Sequence, residues 1–178
     1  MRIIGGGLGG QQFEAPKGHR THPMSDKARG GLFNVLGDIE GLSVLDAFGG
    51  SGALGFEALS RGATSALIID SDRNAQTTIE HNIANLKLKN ARLVRANVSG
   101  WSDNNPEALF DLIFLDPPYD HTQTALLAKL ARHLSPAGTL VLSWPAQTPL
   151  PALPDLRLVK QSNYGDAELA FYQAIKVK

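Results

Sequence analysis

The stretch S-V-L-D-A-F-G-G-S-G-A-L-G at residues 43–55 decides the fold of this chain. It begins with an apolar, β-forming segment, and its glycines allow the backbone to turn tightly before a helix begins near Ala53. A strand, a turn and a helix in this order are typical of α/β folds that bind a ligand at the carboxyl edge of a sheet. Gly50, Gly52 and Gly55 also have the G-x-G-x-x-G spacing that seats a pyrophosphate, which on its own is a weak signal.

The carboxylate at the tip of this predicted strand selects the ligand. Asp46 would repel a pyrophosphate, but it suits a ligand with a positive end. S-adenosylmethionine (SAM) has such an end, formed by a sulfonium and an α-amino group. Asp70 follows the next apolar segment at about the interval expected of a residue that binds a ribose hydroxyl. The sequence therefore predicts SAM as the cofactor, with both carboxylates in its site; the alternative is that both are ordinary turn residues.

A second chemical motif, Asp116-Pro117-Pro118-Tyr119, follows an apolar run at 110–115. Its prolines stiffen the segment and remove two N–H donors, so it presents a carboxylate, carbonyl oxygens and an aromatic ring. This set suits an exocyclic base amine, which would donate to Asp116 and the Pro117 carbonyl while the base stacks on Tyr119. Two acceptors favour a pyramidal nitrogen whose lone pair can attack a sulfonium methyl group. The motif predicts methylation of a base amine, with an ordinary Pro-Pro turn as the alternative.

Length and composition indicate a single globular unit. The chain has 178 residues, is 43% apolar, carries 17 basic and 17 acidic residues, and contains no cysteine. The lack of cysteine excludes a disulfide framework, and the scattered histidines do not have the spacing of a metal site. No apolar run indicates a signal peptide or a membrane span, so we expect a soluble cytoplasmic protein. The balanced charge provides no global field that would indicate a nucleic-acid partner.

The charge is less even at the N-terminus. Residues 1–30 contain five basic residues and only two acidic ones. We expect residues 1–22 to form a hairpin or mobile arm that contacts RNA, and residues 23–178 to form a SAM-dependent methyltransferase domain. The candidate RNA contacts are Arg2, Lys17, Arg20, Lys27 and Arg29. A solvated basic surface is the alternative interpretation.

Alternating apolar patterns predict an α/β fold with a doubly wound, mostly parallel sheet and helices on both faces. Apolar spacing and turn residues locate the elements. The predicted helices are 25–37, 53–60, 72–86, 98–104 and 122–134, and the predicted strands are 43–46, 65–69, 92–96, 110–115, 139–142, 156–161 and 168–175. The alternation stops at a proline-rich connection over 145–154, so we expect the last two strands to form an antiparallel hairpin.

The motifs D-A-F-G-G-S-G-A-L-G and D-P-P-Y together resemble the class I SAM-dependent methyltransferases that modify base amines. More narrowly, the chain resembles the RsmD-type family, bacterial methyltransferases that act on guanine N2 of small-subunit ribosomal RNA. The segments that carry this resemblance are R-I-I-G-G, P-M-S-D-K-A-R-G-G-L-F-N, G-S-G-A-L-G-F-E-A-L-S-R-G-A and Y-G-D-A-E-L-A-F-Y. The likeness covers nearly the whole chain, and it implies a Rossmann-like sheet of seven strands, SAM as the methyl donor and an assembling ribosomal particle as the substrate.

The resemblance also assigns roles by position. It implies that the end of the first strand and the glycine-rich loop surround the methionine part of SAM, while Asp70 binds the ribose. The residues that it implies for cofactor binding are Asp46, Phe48, Gly49, Gly50, Ser51, Gly52, Asp70, Ser71, Asp72, Arg73, Asn97 and Val98, the last two at the adenine edge. The implied catalytic residues at the target base are Asp116, Pro117, Pro118 and Tyr119.

Three other functions agree with parts of the sequence. An adenine-N6 methyltransferase would use the same D-P-P-Y chemistry, although the small size of the chain argues against a sequence-specific DNA enzyme. A NAD-dependent oxidoreductase would account for the glycine spacing and Asp70, but not for residues 116–119. A non-catalytic RNA-binding assembly protein on the same fold would not require Asp116 for its activity, so replacing that residue separates it from the enzymes.

Overall fold

A seven-stranded sheet forms the centre of the computed structural model, which describes residues 1–17, 23–118 and 124–175. The strands are β1 (Ser43–Asp46), β2 (Ser65–Asp70), β3 (Ala91–Arg95), β4 (Phe110–Leu115), β5 (Leu134–Pro145), β6 (Leu156–Tyr164) and β7 (Ala167–Ala174). Their order across the sheet is β3-β2-β1-β4-β5-β7-β6. Strands β1 to β5 are parallel, whereas β7 runs antiparallel to both β5 and β6. The predicted fold class, with its C-terminal antiparallel hairpin, is confirmed.

Helices cover the sheet, and their bounds are α1 (Asp26–Leu36), α2 (Ala53–Ser60), α3 (Arg73–Asn85), α4 (Val98–Asn104) and α5 (Thr124–Ala131). Two of them begin at side-chain caps. The Ser25 hydroxyl accepts a hydrogen bond from the Ala28 N–H at 3.1 Å, and the Asp72 carboxylate accepts one from the Ala75 N–H at 2.9 Å. The predicted bounds of α2 and α4 agree with the structure. Within the described residues, none of the helices has the length and apolar character needed to cross a membrane.

Two hydrophobic clusters pack these helices against opposite faces of the sheet. The first contains residues of α1, α2 and α3, and in it the Phe33 ring lies edge-on to Phe114 of β4 with 5.6 Å between the centroids. The second contains residues of α4 and α5, including Trp101 and Leu127, packed on the other side of β4 and β5. Because both faces of these strands are buried, their sequences are almost continuously apolar.

The boundary between α5 and β5 differs from the prediction. The apolar spacing predicts a helix over 122–134 and a strand over 139–142. Instead, α5 ends at Ala131 and β5 already begins at Leu134. Residues 122 and 123 lie outside the described part of the chain.

Contacts with β4 explain this earlier strand. The His133 carbonyl accepts a hydrogen bond from the Phe110 N–H at 2.8 Å, and the Ser135 hydroxyl donates to the Asp111 carboxylate at 3.0 Å. Leu134 also pairs directly with Phe110. These contacts join residues more than 20 positions apart, and they outweigh the local helical spacing.

The N-terminal residues form a small hairpin packed on the domain. Arg2 and Gln12 form an antiparallel bridge. The side chains of Ile3 and Phe13 are buried in the first hydrophobic cluster, where the Phe13 ring lies edge-on to Phe56 of α2. Contact of this region with RNA stays a prediction.

Candidate functional site at the carboxyl edge of the sheet

Three carboxylates lie at the carboxyl edge of the sheet. Asp46 ends β1, Asp70 ends β2, and Asp116 directly follows β4. Because β1 lies between β2 and β4, these strand ends are neighbours. The strand order reverses at this point, so a crevice opens beside β1, where open α/β sheets bind their ligands. Among the described residues, no group of three or more His, Cys, Asp or Glu side chains is arranged to hold a metal ion.

Asp46 is the most deeply buried of the three carboxylates. Its Oδ2 accepts a hydrogen bond from the Gly55 N–H at 3.2 Å, whereas its Oδ1 has no hydrogen-bond partner among the described residues. Burial raises the pKa of Asp46 to about 8; the N–H groups of Gly55 and Phe48 oppose this, and the charges of Asp116 and Asp70 add to it. A buried acceptor without a partner, beside two further carboxylates, suits a cationic ligand.

Backbone geometry explains the glycines that follow β1. Gly50 and Gly52 have φ angles of 55° and 82°, in the left-handed region that favours glycine. The Gly49 N–H donates to a carbonyl near the end of β2 at 2.8 Å, and the Gly50 N–H donates to the Asp70 carboxylate at 2.7 Å. Residues 49–52, called the glycine turn below, are therefore fixed to the ends of both β1 and β2.

Close packing explains Gly49, and it leads to a stability prediction. A Cβ atom at this position would lie 2.5 Å from Ile68 Cγ2 and 2.9 Å from Ile79 Cδ1, and both isoleucines are fully buried. We expect Gly49→Ala to lower the free energy of unfolding by about 1–3 kcal/mol, measured by urea denaturation. Gly100→Ala in α4, where a Cβ meets open space, is the control and should raise it by about 0.5–1 kcal/mol. Unchanged stability of Gly49→Ala would show that the isoleucines can move aside.

Asp70 anchors the glycine turn and also faces the crevice. Besides the bond from Gly50, its Oδ1 accepts a hydrogen bond from the Asp72 N–H at 2.8 Å. Burial raises the pKa of Asp70, and these N–H groups lower it. Ser71, Asp72 and Arg73 are exposed at the rim, and the Asp72 carboxylate caps α3. Their contact with a cofactor remains a prediction.

Asn97 and Val98 lie beyond the end of β3. Asn97 is exposed, and its Oδ1 accepts a hydrogen bond from the Ser99 N–H at 2.9 Å, which caps α4. Val98 is buried in the second hydrophobic cluster. Since β3 pairs with β2, both residues lie on the Asp70 side of the crevice. Their role at an adenine edge is likewise still a prediction.

Asp116 and its prolines form the opposite side of the crevice. Asp116 is partly exposed, Pro117 is buried and Pro118 is exposed. Burial raises the pKa of Asp116, while a hydrogen bond with the Ser143 side chain lowers it. Tyr119 lies outside the described residues. Asp116 and Pro117 therefore follow the strand that pairs with β1, next to Asp46, and their role as an acceptor pair stays a prediction.

Ser143 is a site residue that the sequence analysis missed. It is buried in β5, where the parallel register with β4 puts it beside Asp116. A lone hydroxyl within the apolar run T-L-V-L-S-W is the available signal, because a buried polar side chain needs a partner. The following Trp144 is also buried and donates its indole N–H to the Pro149 carbonyl at 3.1 Å, so it packs in the core.

The candidate RNA contacts have different surroundings. Lys17 and Lys27 are exposed. Arg2 is exposed too, but its guanidinium group pairs with the Asp26 carboxylate at 3.0 Å. Arg20 lies outside the described residues. Exposed basic groups therefore remain at Arg2 and Lys17 in the N-terminal region and at Lys27 on the first turn of α1.

The structure corrects the expectation that Arg29 contacts RNA. Its side chain is completely buried, donates to the Arg2 carbonyl at 2.7 Å and pairs with Asp26 at 3.0 Å. Its Nε also lies 3.8 Å from a carboxylate oxygen of the buried Glu57. The charge is therefore used inside the protein, between α1, α2 and the N-terminal hairpin, and it is not available at the surface.

Comparisons with known proteins agree with this geometry. The family described as "Conserved hypothetical protein 95" matches residues 1–173. "Putative rRNA methyltransferase YlbH" of Bacillus subtilis is 34% identical over 181 residues, covering 97% of this chain and 98% of that protein. "Ribosomal RNA small subunit methyltransferase D" of Escherichia coli K12 is 39% identical over 122 residues, covering 67% of this chain and 60% of that protein.

A solved structure extends the likeness to three dimensions. "Putative methyltransferase yhhF from Escherichia coli" has 32% sequence identity and a TM-score of 0.88, with 98% of this chain and 97% of that chain covered. The family match spans almost the full length, and so does the alignment with the Bacillus protein. The chain therefore belongs to the family described as conserved hypothetical protein 95, the RsmD-type family that its motifs resemble.

Proposed function

We propose that this protein transfers a methyl group from SAM to the exocyclic N2 amine of a guanine in small-subunit ribosomal RNA. The observation that carries the proposal is the meeting of three carboxylates and the glycine turn at one edge of the sheet, with Asp116 close enough to influence Asp46. The printed names of the Bacillus and Escherichia relatives refer to ribosomal RNA, which supports the substrate class.

The residues of the crevice fit a cationic cofactor. The buried Oδ1 of Asp46 has no partner among the described residues, and a positive group beside it would satisfy both its hydrogen bonding and its charge. When bound, SAM would supply a methyl group activated by an adjacent sulfonium. In our proposal Asp46 and the glycine turn hold the methionine end, Asp70 with Ser71–Arg73 holds the ribose, and Asn97–Val98 holds the adenine edge.

The D-P-P-Y motif would position and activate the target base. The Asp116 carboxylate and the Pro117 carbonyl would accept hydrogen bonds from the two N–H groups of the base amine. This frees the nitrogen lone pair to form the new N–C bond as the methyl–sulfur bond breaks. The nitrogen then loses a proton to Asp116 or to water. Because burial raises the pKa of Asp116, it is a better proton acceptor than an ordinary aspartate. Pro118 and Tyr119 complete the pocket, the latter by stacking.

We infer that residues 1–22 contact RNA and that residues 23–178 form the methyltransferase domain. The exposed Arg2 and Lys17 support this role for residues 1–22, and Lys27 adds a third exposed cation on α1 of the methyltransferase domain. Few cations are available there, which favours a particle containing ribosomal proteins over protein-free RNA as the substrate. Ribosome assembly as the setting implies a cytoplasmic site of action.

A lysine substitution tests the proposed RNA contact. We expect Lys17→Ala to raise the KM for the RNA substrate about 2–5-fold, without changing the affinity for SAM, because one phosphate contact is lost. Lys160→Ala on the outer strand β6, also exposed, is the control and should leave both quantities unchanged. Equal KM values for Lys17→Ala and the wild type would remove this residue from the RNA surface.

Transfer of labelled methyl from SAM, followed by nucleoside analysis, tests the proposed function. The substrates are ribosomal RNA and small-subunit particles from cells that lack the endogenous enzyme. N2-methylguanosine is the expected product. N6-methyladenosine would keep the mechanism but change the base, and the absence of any methylated nucleoside despite measurable SAM binding would contradict the proposal.

A further inference from the structure

The N-terminal segment, defined as residues 1–14, is held by buried polar side chains of the helices as well as by the burial of Ile3 and Phe13. The Glu57 carboxylate accepts hydrogen bonds from the N–H groups of Ile4 and Gly5, at 2.7 and 2.9 Å. The Ser60 hydroxyl donates to the Gly5 carbonyl at 2.5 Å. Both side chains come from α2 and are buried. Buried backbone groups need such partners, so these side chains fix the position of the N-terminal hairpin against α2.

Asn82 of α3 is a third buried side chain of this kind, and it also reaches the glycine turn. It is completely buried. Its Oδ1 accepts from the Glu14 N–H and its Nδ2 donates to the Glu14 carbonyl, both at 2.9 Å. The same Nδ2 donates to the Ser51 carbonyl at 3.4 Å. One amide group therefore joins the end of the N-terminal segment to the middle of the glycine turn.

An aromatic contact connects the same two regions. The Phe13 ring lies edge-on to Phe56, with 5.6 Å between centroids and an interplanar angle of 84°. The Phe56 ring in turn packs so closely under Gly52 that a Cβ atom there would collide with it. Residues 13 and 14 thus contact the two side chains, Phe56 and Asn82, that lie against the glycine turn. A displacement of the N-terminal segment would therefore also disturb the packing of the turn.

We propose that Asn82 is a positioning residue that couples the N-terminal segment to the glycine turn, so that cofactor binding and ordering of the segment stabilise each other. The inference rests on the proposed function for the identity of the cofactor and for the RNA role of the segment. Coupling between two sites is reciprocal. A protein loaded with cofactor therefore presents a better ordered RNA-contacting segment, and RNA held by the segment tightens the cofactor site.

Hydrogen exchange on the full-length protein, with and without S-adenosylhomocysteine (SAH), tests the coupling. The informative amides are those of Ile3, Gly10 and Phe13, which donate hydrogen bonds within the segment. In the wild type we expect SAH to slow their exchange. In Asn82→Ala we expect the SAH-dependent slowing to become at least fivefold smaller, and the Kd for SAH to rise about 5–10-fold, within the usual range of coupling between sites.

Two further variants separate coupling from general destabilisation. Asn82→Asp can still accept from the Glu14 N–H, but it can donate to a carbonyl only while it holds its proton, so its response to SAH should be intermediate at pH 6 and weaker at pH 8. Glu14→Ala removes only the exposed contact of 3.2 Å between the Glu14 carboxylate and the His81 ring, and it should respond like the wild type. If Asn82→Ala does not fold, Asn82→Asp carries the test.

The possible failures are distinguishable. A wild-type response to SAH in both Asn82 variants, together with an unchanged Kd, would overturn the coupling and leave the proposed function intact. Failure of the wild-type protein to bind SAH would overturn the proposed function and this inference with it. A loss of response in Glu14→Ala equal to that in Asn82→Ala would also overturn the assignment, because the coupling would then depend on the surface contact.

Discussion

Replacing Asp116 by Asn is expected to reduce the methylation rate about 100- to 1,000-fold, while the affinity for SAH stays within about twofold. The substitution keeps the shape of the side chain, but it replaces one acceptor oxygen by a donor and removes the charge. The base amine would then lose one of its two acceptors and its nearest proton acceptor. Single-turnover methylation of small-subunit particles with saturating SAM measures this effect without contributions from product release.

A surface carboxylate provides the control for this experiment. Asp103 is exposed in the last turn of α4, more than one helical turn beyond Asn97, and pairs with Lys129. We expect Asp103→Asn to methylate at the wild-type rate. A rate for Asp116→Asn within about threefold of the wild type would contradict the role given to the D-P-P-Y motif, and it would favour a non-catalytic RNA-binding protein on this fold.

Much of this site could be predicted from the sequence because strand ends are encoded locally. Asp46, Asp70 and Asp116 each follow an apolar run, and parallel strands end at the same edge of a sheet. The alternation of strands and helices was therefore sufficient to predict that these three side chains lie close together. The caps at Ser25 and Asp72 were predictable for the same reason, since a cap depends on residues only three positions away.

Contacts between distant residues were not predictable in this way. The burial of Arg29 depends on Glu57, which lies on another helix, and the partner of Ser143, Asp116, lies just after another strand. Asn82 is a third example, since its partners, Glu14 and the glycine turn, are also distant in the sequence. In each case a polar residue at an ordinary helix or strand position becomes important only through the packing of elements, which sequence periodicity does not specify.

The second large effect comes from the titration of Asp46, which should change the stability of the protein and its affinity for SAM in opposite directions as the pH rises. Its pKa is raised from 3.8 to about 8 in the folded protein, so between these values the folded state holds a proton that the unfolded state has released. The stability of the wild type must therefore fall as the pH rises through this range. Asp46→Asn removes this cost, and we expect it to raise the free energy of unfolding at pH 8 by about 1–3 kcal/mol.

Cofactor binding should change in the other direction. A cationic ligand favours the charged form of Asp46, so the affinity of the wild type for SAM should increase between pH 5.5 and pH 7.5, before the ligand's own amino group begins to lose its proton at about pH 7.7–8.0. In Asp46→Asn we expect affinity about 10–100-fold lower, with a flatter pH dependence. Isothermal titration across this range measures both quantities.

Asp111 is the matched control for these two measurements, because its pKa is shifted the other way. Hydrogen bonds from the Ser43 N–H and hydroxyl lower the pKa of Asp111, so its contribution to stability is present above the ordinary aspartate range and is lost as the pH falls through the lowered value. Asp111→Asn should therefore destabilise the protein at pH 8, where Asp46→Asn stabilises it, and it should leave the pH dependence of SAM binding unchanged. If both substitutions destabilise the protein, burial of the Asp46 carboxylate does not lower its stability. The proposal that this carboxylate binds a cationic ligand would then lose its support.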